Sequence, residues 1–269
     1  MNRFFVMFFL AASSLLCSCS QKKDTHTLRV AATPVPHAQM LQQVQGQLQE
    51  EGIALQIITM EDYNLPNRAL EDKELDANFF QHMPFLEEQN KQFHYHLCPL
   101  AQIHIEPMGI YSCSITSIQE LKPHATIAIP NDPSNEARAL LLLQKEGVIT
   151  LKQGNTTLAT VLDIASNPKE IRFSEIDAAM LPRVLSEVDA AVINTNFALE
   201  ANLNPAKDAI AREDSSSPYV NIIAVRCGDE NRPDLQALKK AMTSEKMKQT
   251  ILEEYKGAII PAFTTNNAQ

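Results

Sequence analysis

The sequence predicts an α/β protein made of two lobes that close over a cleft. Segments with strand and helix patterns alternate along most of the 269 residues, and the alternation falls into two consecutive series. Parallel strands need helical crossovers between them, so each series predicts a mostly parallel sheet of its own. With 45% hydrophobic residues, the chain is long enough for one large or two modest domains.

The first series follows a polar N-terminal stretch and is punctuated by Gly and Pro. Its first helix has one apolar face, formed by Met40, Leu41, Val44 and Leu48, and Gly52 ends it. The spacing predicts strands over 28–32, 54–60 and 75–79, helices over 38–51, 66–72 and 84–92, and one or two strands within 95–111.

The second series has the same alternation and ends in two amphipathic helices. The predicted strands are 126–129, 171–173, 189–193 and 219–225, and the predicted helices are 134–146, 158–164, 197–203, 234–242 and 245–255. A polar loop covers 204–218. We assign residues 28–109 plus 226–263 to lobe 1 and residues 110–225 to lobe 2, joined by hinge strands.

The N-terminus predicts export and lipid anchoring. Arg3 precedes an apolar run that ends at Leu16, which is too short and wrongly flanked for a transmembrane helix. Leu16 lies three residues before Cys19 and the small Ser18 just before it, the pattern of a bacterial lipobox. We therefore predict a signal peptide over 1–18 and a lipidated Cys19 that begins a polar tether over 19–27. An ordinary signal peptide cut after a small residue is the alternative.

Charge and motifs exclude several classes of function. Loss of Arg3 with the signal peptide leaves 22 of the 23 basic residues against 32 acidic ones, a net charge of −10, which argues against nucleic acid as a partner. The chain has only seven glycines and lacks phosphate-loop, zinc-protease and serine-hydrolase motifs. We expect no enzymatic activity, no cofactor and no metal centre.

The mature chain has three cysteines beyond Cys19. Cys98, Cys113 and Cys227 are odd in number, so at most one internal disulfide can form. Their spacing matches no metal site, and we interpret them as small buried apolar residues.

Residues that follow the predicted strands are candidates for ligand binding, because ligands of open α/β sheets bind beyond the carboxyl ends of the strands. Tyr63, Phe80, His82 and Phe85 offer aromatic faces and a polar edge for an apolar side chain, with ordinary core packing as the alternative.

Arg138 lies in the first turns of a predicted helix that begins near Ser134. An arginine at a helix N-terminus suits a carboxylate, and pairing with Glu136 or a surface acid on a solvated helix is the competing interpretation. Asn194 lies at the end of an apolar strand and Asn221 within one, where a buried amide needs partners that a ligand could supply. A strand-end cap or turn residue is the alternative. We interpret Asn196 as a cap or turn residue.

Five segments resemble the NlpA family of methionine-binding lipoproteins, in family order over nearly the whole mature chain. They are A-T-P-V-P-H-A, D-A-N-F-F-Q-H-M-P-F-L, P-N-D-P-S-N-E-A-R-A-L-L-L-L-Q, A-V-I-N-T-N-F-A and S-P-Y-V-N. The resemblance implies a bilobed periplasmic-binding-protein fold in the bacterial cell envelope, lipid-anchored and facing the periplasm. It implies capture of L-methionine and delivery to the permease and ATPase of an ABC importer. We expect a monomer.

The resemblance also implies roles for single residues. Arg138 corresponds to the carboxylate-binding arginine, and Asn194 and Asn221 to the asparagines that hold the polar end of the amino acid. The side-chain pocket corresponds to Tyr63, Phe80, His82 and Phe85. At Phe79, Met83 and Phe85 this sequence departs from the residues that are frequent in the family, and these differences affect which ligand side chain the pocket would select.

Other functions stay open at this point. The clamp also suits another small apolar amino acid or a methionine-containing dipeptide, and a surface lipoprotein could keep the fold without transport. His94, His96 and His104 motivate a metal-binding alternative, because they alternate along a predicted strand. An esterase would need a nucleophile elbow that the sequence lacks.

Overall fold

The computed structural model describes residues 26–154, 156–215 and 217–264 and contains two α/β lobes. The predicted signal peptide, Cys19 and most of the predicted tether lie outside these residues. Within the described ranges, no helix has both the length and the apolar content needed to span a bilayer.

Lobe 1 is a six-stranded sheet with helices on both faces. Its elements before the first crossing to lobe 2 are β1 (His26–Ala32), α1 (Gln39–Glu50), β2 (Ile53–Thr59), α2 (Leu65–Glu71), β3 (Ala77–His82), α3 (Met83–Phe93) and β4 (Leu97–Ile105).

Lobe 2 is a five-stranded sheet accompanied by a small two-stranded one. Its elements are β5 (Gly109–Tyr111), β6 (Thr126–Pro130), α4 (Pro133–Lys145), β7 (Thr150–Leu151), β8 (Ile164–Ser166), β9 (Arg172–Ile176), α5 (Leu181–Val184), β10 (Ala190–Ile193), α6 (Thr195–Glu200) and β11 (Ala211–Arg212).

The chain then returns to lobe 1 for its last elements, which are β12 (Val220–Arg226), α7 (Pro233–Met242), α8 (Glu245–Tyr255) and β13 (Ile260–Pro261). The strand order in lobe 1 is β13-β4-β12-β3-β1-β2, so β12 is a central strand and runs antiparallel to both neighbours. The order in lobe 2 is β11-β5-β10-β6-β9, with β6 parallel to β9 and β10.

This topology corrects the predicted boundary between the lobes. We expected residues 110–225 to form lobe 2, but β12 pairs with β3 and β4 and therefore belongs to lobe 1. An isolated strand pattern does not indicate which sheet the strand joins. The crossings between the lobes are residues 106–108 and 213–219.

Alternating side chains of the strands bury both faces of each sheet. In β1, Leu28 and Val30 join the core formed with α1, α7 and α8, whereas Ala31 packs in the opposite core with Leu70 of α2 and Leu86 of α3. Lobe 2 repeats this three-layer arrangement, with α4 on one face and α5 and α6 on the other. The carboxyl ends of β3 and β4 in lobe 1, and of β6 and β10 in lobe 2, face the cleft between the lobes.

Two local predictions are wrong. The helix predicted over 158–164 is replaced by 3₁₀ turns and by β8, because Thr160 and Asp163 form a capping box that closes a tight turn. The strand predicted to end at Phe79 continues to His82, and all six residues of β3 are buried. A strand covered on both faces lacks the polar alternation that would mark its end.

The cysteines also differ from our interpretation. Cys98 and Cys227 form a disulfide with a Cα–Cα distance of 5.0 Å, and Cys113 is exposed and free. Pairing of β4 with β12 brings Cys98 and Cys227 together although 129 residues separate them.

The disulfide should stabilise lobe 1 by restricting the unfolded chain. Replacing both Cys98 and Cys227 by Ala should lower the free energy of unfolding by about 2–4 kcal/mol, as measured by urea denaturation. The control is Cys113→Ala, which removes the exposed thiol and should leave the unfolding midpoint unchanged. Equal midpoints for the double variant and the control would contradict the prediction.

Candidate functional site

A small cavity lies between the lobes. All seven residues that the sequence predicts as ligand-binding line it: Tyr63, Phe80, His82, Phe85, Arg138, Asn194 and Asn221. Five further residues, which are not predicted from the sequence as ligand-binding, also line it: Gln81, Glu106, Asn135, Thr195 and Asn196.

Aromatic rings form one wall of the cavity. The ring centroids of Tyr63, Phe80 and Phe85 are 5.7–5.8 Å apart in each pair, and Phe197 of α6 lies 5.0 Å from Tyr63. Because β3 extends to His82, Phe80 and His82 share one face of the sheet while Phe79 packs on the other. The wall is therefore both buried packing and cavity lining.

His82 connects this wall to lobe 2. Its Nδ1 accepts a hydrogen bond from the Phe85 N–H at 3.1 Å, so Nε2 carries the proton and donates to Asn135 Oδ1 at 3.2 Å. Burial, together with the charge of Arg138, lowers the pKa of His82 to about 3. The imidazole is neutral at physiological pH and acts as a fixed donor.

Asn135 continues this chain of hydrogen bonds into lobe 2. Its Oδ1 also accepts from Asn194 Nδ2 at 2.8 Å, and its Nδ2 donates to both carboxylate oxygens of Asp132. Asp132 further accepts the Asn135 backbone N–H and the Ser134 hydroxyl, so it caps α4. We expected the helix start at Ser134 to help bind a ligand carboxylate, but the side-chain carboxylate of Asp132 already occupies it.

Two buried polar atoms at the cavity have no partner within the described residues. They are Asn194 Oδ1, an acceptor, and Asn196 Nδ2, a donor. A buried amide group left unpaired costs about 1–3 kcal/mol, so these atoms indicate a ligand with both a donor and an acceptor. The zwitterionic end of an amino acid has both.

Asn196 is not the cap that we expected. It lies inside α6, its Oδ1 accepts from the Tyr63 hydroxyl of the other lobe at 2.6 Å, and its backbone N–H donates to Glu106 Oε2 at 3.1 Å. Its position three residues after a strand end and two residues after the candidate Asn194 was the only sequence signal for it.

Arg138 is buried and pairs with Glu213 rather than with Glu136. Its Nε and Nη2 donate to the two Glu213 carboxylate oxygens at 2.9 and 2.6 Å, and Nη2 also donates to the Glu106 carbonyl. The guanidinium carbon lies 4.3 Å from the centre of the Tyr219 ring. Among the described residues, Nη1 has no hydrogen-bond acceptor, so it is the donor left for a ligand.

Glu106 organises a second buried cluster with two histidines. His104 Nε2 lies 2.7 Å from Glu106 Oε1, and His37 Nε2 lies 3.3 Å from the same oxygen and 3.1 Å from Asn221 Oδ1. Burial lowers the pKa of His37 to about 4 and that of His104 to about 3, and it raises the pKa of the Glu106 carboxyl. Both imidazoles are therefore neutral donors through Nε2. The sequence signal for Glu106 was a lone acid between two apolar strands.

The structure does not bring together the three histidines of the metal-binding alternative, and it places a different set of possible ligands close together. His94 and His96 are exposed and lie outside the strands, away from the buried His104. Instead, His37, His104 and Glu106 place possible ligand atoms within 4.8 Å of one another. Since the Nε2–H of His104 donates to Glu106 and that of His37 donates to Asn221, a metal would have to displace both protons before it could bind there.

The neutral His82 predicts a pH-dependent stability. The unfolded chain takes up the imidazole proton below its ordinary pKa of 6.5, whereas the folded protein does so only near pH 3, so the free energy of unfolding falls as the pH decreases between these values. His82→Asn, which retains a capping side chain, should reduce this fall by about 1 kcal/mol per pH unit. Urea denaturation between about pH 6.5 and 5 measures it.

The control for this experiment is His96→Asn, which removes an exposed imidazole. An identical pH dependence for His82→Asn and the unmodified protein would contradict the neutral, buried state of His82.

Comparisons with known proteins agree with this geometry. The methionine-binding lipoprotein MetQ of Bacillus subtilis is 38% identical over 261 residues, which cover 94% of this chain and 95% of that protein. The D-methionine-binding lipoprotein MetQ of Escherichia coli K12 is 37% identical over the same shares of both chains. Membrane lipoprotein TpN32 of Treponema pallidum is 35% identical.

Solved structures give the same result. A nutrient-binding protein of Burkholderia cenocepacia bound to methionine is 49% identical, with a TM-score of 0.85 over 88% of this chain and all of that one. The methionine-binding protein MetQ superposes with a TM-score of 0.86 at 36% identity, over 90% of this chain and all of that one. Such neighbours confirm the two-lobed periplasmic-binding fold. The family model described as NlpA lipoprotein matches residues 28–263, and the chain belongs to that family.

Proposed function

We propose that this protein captures methionine in the cavity between its lobes and delivers it to an ABC importer. The observation that carries the proposal is the pair of unpartnered amide atoms, Asn194 Oδ1 and Asn196 Nδ2, beside Arg138 and opposite an aromatic wall. These groups suit an amino acid with an apolar side chain. The names of the relatives and the methionine-bound neighbour support methionine as that amino acid.

The polar groups divide between the two charges of the ligand. The carboxylate accepts from Arg138 Nη1 and from the Asn196 amide. Asn221, whose Oδ1 is held by His37, has its Nδ2 left as a further donor. The α-ammonium donates to Asn194 Oδ1 and is balanced by the nearby negative charge of Glu106 when that carboxyl is ionised. The binding protein thereby recognises the common part of an amino acid.

The apolar end of the cavity provides selectivity. A thioether is polarisable and packs well against the edges and faces of aromatic rings, here those of Tyr63, Phe80 and Phe85. His82 is neutral, so it adds a polar edge without a charge that would favour acidic side chains.

Closure of the lobes completes the site. Tyr63 of lobe 1 donates to Asn196 of lobe 2, and His82 donates to Asn135, so the described conformation is closed. A ligand that contacts both lobes binds the closed form better than the open form and shifts the population toward it. We propose that the closed, loaded form docks on the permease, while a lipid on Cys19 holds the protein at the membrane on its periplasmic side.

The decisive experiment identifies the ligand directly. Mass spectrometry of the protein without its anchor, first native and then denatured, reveals what copurifies, and calorimetry of the stripped protein follows. Binding of L-methionine at micromolar Kd or tighter, about −8 kcal/mol or better, supports the proposal. Preference for a methionine dipeptide or another apolar amino acid would reassign the ligand. Absence of binding to any of them would favour a surface role without transport.

Arg138 should provide much of the affinity. Arg138→Ala removes a buried cation and leaves Glu213 unpaired, so Kd for L-methionine should rise by roughly 30-fold to several-thousand-fold, about 2–5 kcal/mol. Calorimetry measures the change. Arg172→Ala, which removes an exposed arginine of the same lobe, is the control and should leave Kd unchanged. Equal Kd values for the two variants would remove Arg138 from the site.

The Tyr63 hydroxyl should contribute through closure. Tyr63→Phe removes the hydrogen bond to Asn196 across the lobes, and Kd for L-methionine should rise about 3- to 10-fold, the value of one net hydrogen bond. Tyr95→Phe removes a hydroxyl of lobe 1 outside the cavity and serves as the control. A loss that is equal in both variants would argue against this role in closure.

A further inference from the structure

Glu213 is not among the residues that line the cavity, and it binds Arg138 through both carboxylate oxygens. Oε1 accepts from Arg138 Nε at 2.9 Å, and Oε2 accepts from Nη2 at 2.6 Å. This two-point contact sets the plane of the guanidinium as well as its position. The Glu106 carbonyl and the ring of Tyr219 hold the same guanidinium from two other directions.

The same carboxylate joins the two crossings between the lobes. Glu213 Oε2 accepts the backbone N–H of Met108 in the first crossing at 3.0 Å and the hydroxyl of Ser217 in the second at 3.3 Å. The backbone N–H of Glu213 donates to the Met108 carbonyl at 3.0 Å. The orientation of Arg138 is therefore mechanically connected to the segments that must bend when the cleft opens.

Without Glu213, only the single hydrogen bond from Nη2 to the Glu106 carbonyl would favour Nη1 as the nitrogen that faces the cavity. An arginine side chain has several rotatable bonds, and stacking on Tyr219 allows the guanidinium to turn within the plane of the stack. The fork contact prevents this turn by occupying Nε and Nη2.

We propose that Glu213 is a positioning residue for ligand binding, which aims Nη1 of Arg138 at the ligand carboxylate and ties that aim to the closed arrangement of the two crossings. The inference rests on the proposed function, since it concerns recognition of an amino-acid carboxylate at the same site. Glu213 itself does not line the cavity.

A second role of Glu213 has the opposite sign and must be distinguished from positioning. Its negative charge also screens Arg138, so its removal would strengthen the attraction between Arg138 and a ligand carboxylate. Positioning predicts weaker recognition of the carboxylate after substitution, whereas screening alone predicts stronger recognition. The direction of the change separates the two.

The test compares L-methionine with L-methioninamide, which lacks the carboxylate charge, by calorimetry. The measured quantity is the ratio of the amide Kd to the methionine Kd. Positioning predicts that this ratio falls about tenfold or more in Glu213→Gln. It predicts a fall also in Glu213→Asp, which keeps the charge but withdraws the carboxylate by one methylene. A general loss of stability would raise both Kd values together and leave the ratio unchanged.

Asp214→Asn is the matched control, because it removes a negative charge one residue further along, where Asp214 pairs with the exposed Lys145. Its ratio should equal that of the unmodified protein. A ratio that is unchanged or higher in Glu213→Gln, or unchanged in Glu213→Asp, would overturn the inference. If one variant fails to fold by circular dichroism, the ratio in the other decides. Failure of the unmodified protein to bind methionine would instead refute the proposed function.

Discussion

The buried guanidinium of Arg138 is the constraint on which the organisation of the site depends. A cation removed from water costs several kcal/mol unless fixed partners replace its hydration. The partners here come from three places in the chain: the Glu106 carbonyl, the Glu213 carboxylate and the Tyr219 ring. All three lie in the crossing segments between the lobes, and Tyr219 immediately precedes β12, so satisfying one charge brings together the ends of both sheets.

Most of the remaining polar groups around the cavity are paired within the described residues, although His104 Nδ1 is buried without a partner. Asp132, Asn135, His82 and Asn194 form one chain of hydrogen bonds across the cleft, and Glu106 with His37, His104 and Asn221 forms another. Each histidine stays neutral because burial opposes its charge, which makes each a donor of defined direction. At the cavity itself, Asn194 Oδ1 and Asn196 Nδ2 are left without partners among the described residues, and they line it together with the aromatic wall.

Much of this architecture could be predicted from local patterns. Helix α8 was predicted with the bounds that it has, because Ser244 caps it and its apolar residues recur with helical spacing. The seven candidate residues could be predicted from the sequence for a similar reason, since they follow strands or lie within them. Glu213 and Glu106 could not be predicted in this way, because their roles come from contacts with residues far away in the sequence. The Cys98–Cys227 bond likewise required knowledge of which strands are neighbours.

The central place of β12 in lobe 1 has a consequence for the order in which the exported chain can fold. Between β3 and β4 the sheet has a gap that only β12 fills, and the whole of lobe 2 is synthesised and translocated before β12 arrives. Lobe 2 can complete its own sheet first, while the edges of β3 and β4 that later pair with β12 remain unpaired. Such edges are templates for aggregation, so the period before β12 docks is when the nascent protein most needs protection in the envelope.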